Sequence, residues 1–334
     1  MEKKELINYI DKLSNKKILI IGDFALDEMI YGNTERISRE APVLILEHYE
    51  TKKILGAASN AANNASKLSG SAIALGVYGD DYYGSELINI LKQNNIDTSY
   101  MIKDETRKTT TKTRISGSCN QSITQQIVRI DRQTKTPLSP STEVKVIENI
   151  KQAVKECDAI ILSDYGIGCL TQNVVSAAIE EANKHNKIIV ADIQRNMEKY
   201  KGVTAITPNQ PDTERQTGFF IKNEDDLIKA GNKLINDINT RYALITRGEN
   251  GMALFEGKGD SVKFEKVPAF NKKQVFDVTG AGDTVVAAFT LALCAGLEPK
   301  IAMYIGNLAA SIVIRYFGCY CPDLEELKKE LKEK

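Results

Sequence analysis

Short runs of apolar, β-branched residues recur along this chain, and each ends in Asp, Asn or Gly. Runs that are apolar on both faces are typical of parallel strands buried between layers of helices. A polar residue at the end of each run marks the point where a strand gives way to a loop. The predicted strands are residues 16–23, 72–80, 158–164, 187–192, 202–209 and 242–248.

Stretches with helical periodicity separate these strands. The alternation predicts an α/β fold, with a doubly wound, mostly parallel sheet flanked by helices. In such sheets ligands bind beyond the carboxyl ends of the strands, so the polar residues that end the strands are the candidate site. The predicted helices are residues 57–68, 84–94, 141–156, 171–185 and 223–238.

Two segments interrupt the alternation. Residues 29–49 and 108–130 are strand-like, and the second predicts a hairpin with its turn at GSCNQ, residues 117–121. We expect a small β-sheet lid at the active-site end, with two separate surface hairpins as the alternative. Because repeats, low-complexity segments and linkers are lacking, we expect one domain over residues 1–334.

Composition narrows the class of protein. The 44 basic and 44 acidic residues balance, so we expect no nucleic-acid or membrane surface. The apolar stretches 284–297 and 301–314 are shorter than the roughly 18 residues of a membrane span and predict buried helices. Six cysteines without a CxxC pair and two histidines give little support to disulfide, zinc or histidine-based chemistry. We expect a reduced, cytoplasmic protein.

The stretch DVTGAGDTVVAAF, residues 277–289, places an acid in a glycine-rich turn before an apolar helix. Gly280, Ala281 and Gly282 would present backbone N–H groups at the helix N-terminus, where anions bind. Asp283 in the same turn could accept a proton from an attacking hydroxyl group. The alternative is that Asp283 only caps the helix. The phosphate motifs GxxxxGK[ST] and GxGxxG are absent.

Several stretches resemble one enzyme family. Residues 277–290 resemble the C-terminal signature of the PfkB (ribokinase-like) carbohydrate kinases, and GAASNAANNASKLSG, residues 56–70, resembles their N-terminal signature. Ala57 stands where the family has a second glycine. The resemblance extends from about residue 14 to residue 325, and it implies a ribokinase-like fold.

The resemblance also implies a reaction and a site. The ATP γ-phosphoryl group would pass to a sugar hydroxyl, with Mg²⁺ present, Asp283 as the base, and residues 280–282 holding the anion. The implied substrate-binding residues are Asp23, Asp27, Gly56, Ala57, Asn60 and Asp164, with Arg36 and Arg129 reaching a substrate phosphate from the lid. Turn-forming or solvated roles are the alternatives for Asp23, Asp27 and the two arginines.

The nucleotide and metal residues follow from the same resemblance. The implied nucleotide-binding residues are Thr246, Gly248, Gly251, Asn209 and Asn307, although Asn307 could be an ordinary polar helix residue. Asp212 and Glu214 would place Mg²⁺ through water. Asp277 would order the loop and bind a monovalent cation such as K⁺, or serve structure alone.

Within the family the chain is most similar to the heptose 7-phosphate kinases of ADP-heptose synthesis. The implied acceptor is the anomeric hydroxyl of D-glycero-D-manno-heptose 7-phosphate. Many members carry a nucleotidyltransferase domain as well, but this chain ends at DLEELKKELKEK, so we expect only the kinase step. The stretches that carry the likeness are residues 22–43, 127–131, 159–168, 198–209 and 276–285.

Departures from that subgroup leave alternatives open. Ile167 and Gln194 stand where it has lysines suited to a sugar phosphate, with Arg195 as a possible replacement, and Asp212 replaces a glutamate. The alternatives are a kinase for another sugar or a nucleoside, and a non-catalytic ligand-binding relative. Pairing of the hairpins between two copies, as a homodimer, is a further alternative to a lid.

Overall fold

The computed structural model describes residues 3–119, 124–258, 261–270 and 275–333. The strands are β1 Lys17–Gly22, β2 Phe24–Ile37, β3 Leu44–Ala57, β4 Ser71–Leu75, β5 Val77–Tyr78, β6 Ile96–Asp97, β7 Ile102–Lys103, β8 Thr110–Ser118, β9 Gln125–Arg132, β10 Ala159–Asp164, β11 Ile188–Ile193, β12 Ala205–Ile206, β13 Tyr242–Thr246, β14 Met252–Lys258 and β15 Ser261–Val267. The helices are α1 Lys3–Asp11, α2 Ala58–Ser69, α3 Tyr82–Gln93, α4 Pro140–Ala153, α5 Gln172–Lys184, α6 Gln210–Thr217, α7 Glu224–Ile238, α8 Ala281–Cys294, α9 Pro299–Val313 and α10 Leu324–Glu333.

The main sheet has nine strands in the order β15-β14-β13-β12-β11-β10-β1-β4-β6. Its strands run parallel from β6 to β13, and β14 and β15 are antiparallel at one edge. Apolar side chains on both faces of the central strands are fully buried, as in Ile18 and Leu19 of β1. The predicted doubly wound, mostly parallel fold is confirmed.

Two of the predicted strands are shorter than expected. The run 72–80 breaks at Gly76, where a Cβ atom would lie 2.6 Å from the Phe24 ring, so the chain turns there and β5 pairs with β7 instead. In the run 202–209 only Ala205 and Ile206 pair as a strand. Pro208 has no N–H to donate, which limits pairing at the end of that run.

The two interrupting segments form one four-stranded sheet in the order β3-β2-β8-β9. Antiparallel pairing makes two hairpins, β2–β3 and β8–β9, and parallel pairing of β2 with β8 joins them. The strands extend beyond the predicted segments, since β2 begins at Phe24, directly after β1. Part of the predicted turn 117–121 lies outside the described residues.

Helix α8 lies at the centre of the molecule. Every side chain from Asp283 to Leu293 is buried, and the helix packs against α9, α2 and the strands β10 and β11. This confirms the two predicted buried helices near the C-terminus. In the part of the chain described here, no helix combines the length and apolarity that crossing a membrane requires.

Candidate active site

The predicted site residues meet at the carboxyl edge of the main sheet. β1 ends beside Asp23, β10 ends at Asp164, and β13 ends at Thr246. The N-terminus of α2 brings Asn60 to the same edge, and the N-terminus of α8 brings Asp283. The site is therefore assembled from the ends of separate elements, as the topology of a parallel sheet requires.

The first turn of α8 is open to a ligand. Gly280 has φ = 79°, and a Cβ atom there would lie 2.6 Å from the Asn60 amide nitrogen, so only glycine fits. Around Gly282 no atom would lie within 4 Å of an added Cβ. The first N–H groups of a helix lack partners within it. The Ala281 N–H already donates to the Val278 carbonyl oxygen at 3.3 Å, so the amides of Gly280 and Gly282, with the open space around Gly282, are what this turn offers an anion.

Asp283 is buried beside that turn, with 4% of its surface exposed. Asn60 Nδ2 donates to its Oδ2 at 2.7 Å, and the Tyr165 hydroxyl donates to its Oδ1 at 2.7 Å. Burial raises the pKa of Asp283 to about 6, against the hydrogen bonds from Asn60 and Tyr165 and the charge of Lys112. The N-cap of α8 is Gly280, so Asp283 is not the helix cap. A carboxylate with this pKa can act as a proton acceptor near neutral pH.

Asp23 organises the loop that follows β10. Its carboxylate accepts the backbone N–H groups of Tyr165, Ile167 and Cys169 at 2.9, 3.0 and 3.1 Å. Burial and the nearby Asp164 raise the pKa of Asp23, in opposition to these hydrogen bonds. The predicted contact between Asp23 and a sugar stays a prediction.

Asp164 is also held by neighbours. It accepts the Gly166 N–H at 2.8 Å and the Tyr200 hydroxyl at 2.5 Å, and it pairs with Lys199 Nζ at 2.7 Å. Lys199 lies in residues 198–209, one of the stretches that resemble the heptose 7-phosphate kinases, and the sequence predicted no role for it. The network fixes the loop between β10 and α5 from both sides.

A pocket of about 250 Å³ lies between the four-stranded sheet and the loops before α8 and after α9. Asp27 and Arg114 line it and form an ion pair, Oδ2 to Nη1, of 2.9 Å. Gly56 faces Asp27 so closely that a Cβ atom would lie 2.9 Å from the Asp27 carboxyl carbon. The predicted residues Asp27 and Gly56 therefore lie together, beside the predicted catalytic turn.

Ala57 adopts a conformation that favours glycine, with φ = 52° and ψ = −134°. It sits at the N-cap of α2, three residues before Asn60. A methyl group at positive φ strains the backbone by about 1–3 kcal/mol. Glycine, which the family has at this position, adopts this conformation without strain. The alanine of this chain adopts it with a strained backbone.

The face of the four-stranded sheet that lines this pocket, called the basic face below, carries three cationic side chains, with Asp27 and Asp131 among them. Lys112 and Arg114 alternate along β8 and so share that face. Arg129 lies directly opposite Arg114 on β9 and pairs with Asp131 at 2.8 Å. The predicted phosphate contact Arg129 thus shares the face with Arg114, whereas Arg36 is simply exposed.

The predicted nucleotide residues form a second group. Thr246 bridges to Asn209, and Gly251 has φ = 79° with its Cα so close to Val267 that only glycine fits. Asn307 Nδ2 donates to the Pro268 carbonyl oxygen at 2.7 Å. Asn307 therefore fastens the loop that borders Gly251, and a direct nucleotide contact stays a prediction.

The residues predicted to place Mg²⁺ already have hydrogen-bond or ion-pair partners within the protein. Asn209 Oδ1 caps α6 by accepting the Asp212 N–H at 2.8 Å, and the Asp212 carboxylate pairs with Arg215 at 2.7 Å. Glu214 Oε1 accepts from Gln210 Nε2 and the Ile221 N–H, both at 3.0 Å. Within the described ranges, no three His, Cys, Asp or Glu side chains are grouped to hold a metal ion by themselves.

Asp277 orders the loop before α8. Its carboxylate accepts the N–H and the hydroxyl of Thr279 at 2.9 and 2.7 Å and the Gly318 N–H at 2.9 Å. Burial opposes ionisation, but these hydrogen bonds hold the pKa of Asp277 below its usual value. The loop role predicted for Asp277 has a direct structural basis.

Sequence reasoning assigned no role to four side chains of this site. Tyr165 and Lys112 lie beside the base, Arg114 pairs with Asp27, and Asp192 is the penultimate residue of β11, near Asp283 and Asp212. Burial together with Asp283 and Asp212 raises the pKa of Asp192 to about 8. For Lys112 and Arg114 the sequence did hold a signal: Lys112, Arg114 and Ser116 are two residues apart in the predicted hairpin, and residues two apart in a strand share a face.

The first turn of α8 thus combines a buried carboxylate with backbone amide donors. This arrangement suits removal of a proton from a hydroxyl group and stabilisation of a transferring phosphoryl group. The fold and this geometry define a phosphotransferase of the doubly wound α/β class that acts on a hydroxyl group. Arg114 of the smaller sheet adds a cationic side chain to the pocket beside this turn.

The chain belongs to the pfkB family of carbohydrate kinases, whose sequence profile matches residues 15–326. It is 39% identical over 313 residues to the bifunctional protein HldE of Helicobacter pylori (strain Shi470), an alignment that covers 93% of this chain and 65% of that protein. The HldE of a Nitratiruptor species is 36% identical, over 94% of this chain and 64% of that protein. The chain thus spans less than two thirds of the length of these relatives.

Solved structures share the fold at low sequence identity. A ribokinase of Arabidopsis thaliana, complexed with ribose and ATP, superposes with a TM-score of 0.72 at 17% identity, over 96% of this chain and 99% of that one. Phosphofructokinase-2 of Escherichia coli, in complex with substrates and products, gives 0.75 at 16% identity, over 95% and 99%. The predicted family and the predicted fold are both confirmed.

Proposed function

We propose that this carbohydrate kinase transfers the γ-phosphoryl group of ATP to the anomeric hydroxyl of D-glycero-D-manno-heptose 7-phosphate. The observation that carries the kinase chemistry is the buried Asp283 beside the open amide turn of α8. The likeness to the heptose 7-phosphate kinases and to the HldE proteins supports the choice of sugar.

In the proposed reaction Asp283 accepts the proton of the sugar hydroxyl as that oxygen attacks the γ-phosphorus. The new O–P bond forms while the bond to the ADP leaving oxygen breaks. The N–H groups of Gly280–Gly282 and the positive end of the α8 dipole stabilise the charge on the transferring group. Asn60 holds the base in place through its 2.7 Å hydrogen bond. Positioning supplies most of the rate in such transfers.

The nucleotide would lie across the Thr246–Gly251 loop toward the loop at Pro268. Mg²⁺ neutralises phosphate charge when it is bound in such sites and keeps several of its waters. The Asp212 carboxylate lies near enough to Asp192 for its charge to raise the pKa of Asp192, and this nearness supports a water-mediated role for Asp212. Glu214 fits less well, since Gln210 and Ile221 already engage its Oε1 atom.

A monovalent cation and a second copy of the chain belong to the same proposal. E. coli phosphofructokinase-2 was solved with potassium, and the ionised Asp277 carboxylate fits K⁺ at the loop before α8.

The outer strands of the four-stranded sheet expose Leu44, Val128 and Ile130. Apolar exposure of this kind suits a homodimer that pairs through this sheet.

For the substrate phosphate we propose the basic face of the four-stranded sheet. Arg129 and Arg114 lie side by side across β9 and β8, and two guanidinium groups match a phosphate dianion. Arg195 and Arg36 are exposed alternatives. Ile167 is buried where the subgroup has a lysine, and this favours the second candidate function, a kinase for an unphosphorylated sugar.

The test compares kcat/KM for the heptose with and without its 7-phosphate in an assay of ADP release. We expect the phosphorylated sugar to be preferred, and Arg129→Ala to weaken it by about ten- to a hundredfold, with ATP affinity unchanged, since a charge-assisted contact is lost. Arg132→Ala is the control, because Arg132 is on the same strand but its guanidinium bonds Thr113. A preference for the free sugar would establish the second candidate instead.

A further inference from the structure

The Tyr165 hydroxyl is the second hydrogen-bond partner of the base, after Asn60, and it comes from a different element. It donates to Asp283 Oδ1 at 2.7 Å. We infer that Tyr165 is a positioning residue for the base: its hydroxyl orients the Asp283 carboxylate and keeps it charged, and Lys112 supports the tyrosine from the four-stranded sheet. The inference rests on the proposed role of Asp283.

The backbone around Tyr165 is fixed before any substrate binds. Its N–H donates to Asp23 Oδ2 at 2.9 Å, and the same carboxylate accepts the N–H groups of Ile167 and Cys169. Gly168 has φ = 99° and lies so close to Thr136 that a Cβ atom would be 2.3 Å from its carbonyl oxygen. A loop held at this many points presents the hydroxyl in one place.

Tyr165 acts as a donor and not as a second base. Burial, with Asp283 beside it, raises the pKa of Tyr165 well above its usual value, so the phenol keeps its proton. A hydrogen bond donated to a carboxylate stabilises the charged form. Loss of the hydroxyl would therefore raise the pKa of Asp283 and leave more of it protonated at a given pH.

Charged neighbours act on the same carboxylate from other elements. Lys112 of β8 lies with its ammonium 4.9 Å from the Tyr165 ring centroid and favours the charged Asp283, whereas Asp27 of β2 opposes it. Asp192 of β11 has a pKa of about 8, so it is mostly neutral near pH 6. The Cys319 and Cys321 thiols after α9 stay protonated, because burial raises their pKa values.

The first experiment measures Asp283 directly, without substrate. Protein labelled with ¹³C at the aspartate carboxyls is titrated by NMR, and the Asp283 signal is the one that Asp283→Asn removes. We expect its midpoint near pH 6 and a rise of about one pH unit in Tyr165→Phe. Lys112→Met should shift it in the same direction by less. Tyr100→Phe is the matched control, since the Tyr100 hydroxyl donates at the same 2.7 Å to a different carboxylate, that of Glu156. It should leave the Asp283 midpoint unchanged.

The second experiment follows kcat/KM against pH with the heptose 7-phosphate. In Tyr165→Phe the acid limb should move with the NMR midpoint, so kcat/KM falls about five- to tenfold at pH 5–6 and recovers above pH 8. An unchanged midpoint in Tyr165→Phe overturns the inference, as does a uniform loss at every pH. If Asp283→Asn keeps its turnover, the proposed base fails instead, and the NMR shift still reports on the Tyr165 contact.

Discussion

At residue 283, replacement of the carboxylate by an amide removes the proton acceptor and leaves the glycine turn intact. Asp283→Asn should lower kcat by about 10²- to 10⁴-fold, the range that general-base catalysis contributes. ATP affinity should stay close to that of the wild type, because the nucleotide residues lie on other loops. Single-turnover kinetics and ATP binding by calorimetry measure the two quantities separately.

Asp225→Asn is the control for this change. Asp225 is an exposed acid in the first turn of another helix, α7, so it tests the loss of charge alone. We expect it to stay near wild-type turnover. If Asp283→Asn retains more than about a tenth of wild-type turnover, Asp283 is not the base.

At residue 57, the alanine at positive φ predicts a stabilising substitution. Ala57→Gly removes a backbone strain of about 1–3 kcal/mol. The greater freedom of glycine in the unfolded chain lowers the stability by about 0.5–1 kcal/mol. We expect a net gain of about 1 kcal/mol in the free energy of unfolding, measured in urea. Ala61→Gly inside α2 is the control and should destabilise the protein. Destabilisation by both variants to the same extent would show that Ala57 is unstrained.

The local motif around Asp283 could be predicted from the sequence, but the contacts of its side chain could not. The motif around Gly280 and Asp283 is local, so its turn and its acid were predictable from the chain alone. The contacts of Asp283 were not, because Tyr165 lies 118 positions away and reaches the base only through the crossover of β10. Asp23 was identified as a site residue, but its three backbone partners depend on a loop conformation that no pattern encodes.

At the scale of elements, the four-stranded sheet is the part expected to respond to substrate. Closure over the sugar would exclude water from the phosphoryl group. Binding of the heptose 7-phosphate should therefore slow hydrogen exchange in β2, β3, β8 and β9, measured by mass spectrometry. The antiparallel pair β14–β15 at the edge of the main sheet is the control and should exchange equally in both states. Equal exchange in the four strands with and without sugar would rule out a closing lid.

The hydrophobic periodicity predicted the individual strands and helices better than it predicted their pairing. Buried strands and helices of the main sheet were predicted because both kinds of pattern are strong in this chain. The pairing of β2 with β8 was not, since parallel pairing between distant strands leaves no turn signal between them. The stops at Gly76 and Pro208 depend on close approaches and missing donors, which the apolar run alone does not reveal.

For the whole molecule, the sheet order explains why one edge gathers the chemistry. In the main sheet the strands from β6 to β13, in sheet order, run in one direction, so their polar ends converge, and α8 crosses beneath them with its N-terminus at the same edge. Solved structures at 16–17% sequence identity share this architecture. Which sugar is bound is decided by the few side chains that line the pocket, and the fold does not decide it.

The contact between Asn60 and Asp283 joins two residues that are 223 positions apart. A ribosome adds roughly 5–20 residues per second, so this separation corresponds to tens of seconds of synthesis. Throughout that interval the emerging polypeptide already carries α2 but has neither the acid nor the amide turn. With Asp283 as the proposed base, phosphoryl transfer is confined to chains whose synthesis has passed α8, and a translation product interrupted before α8 is catalytically silent.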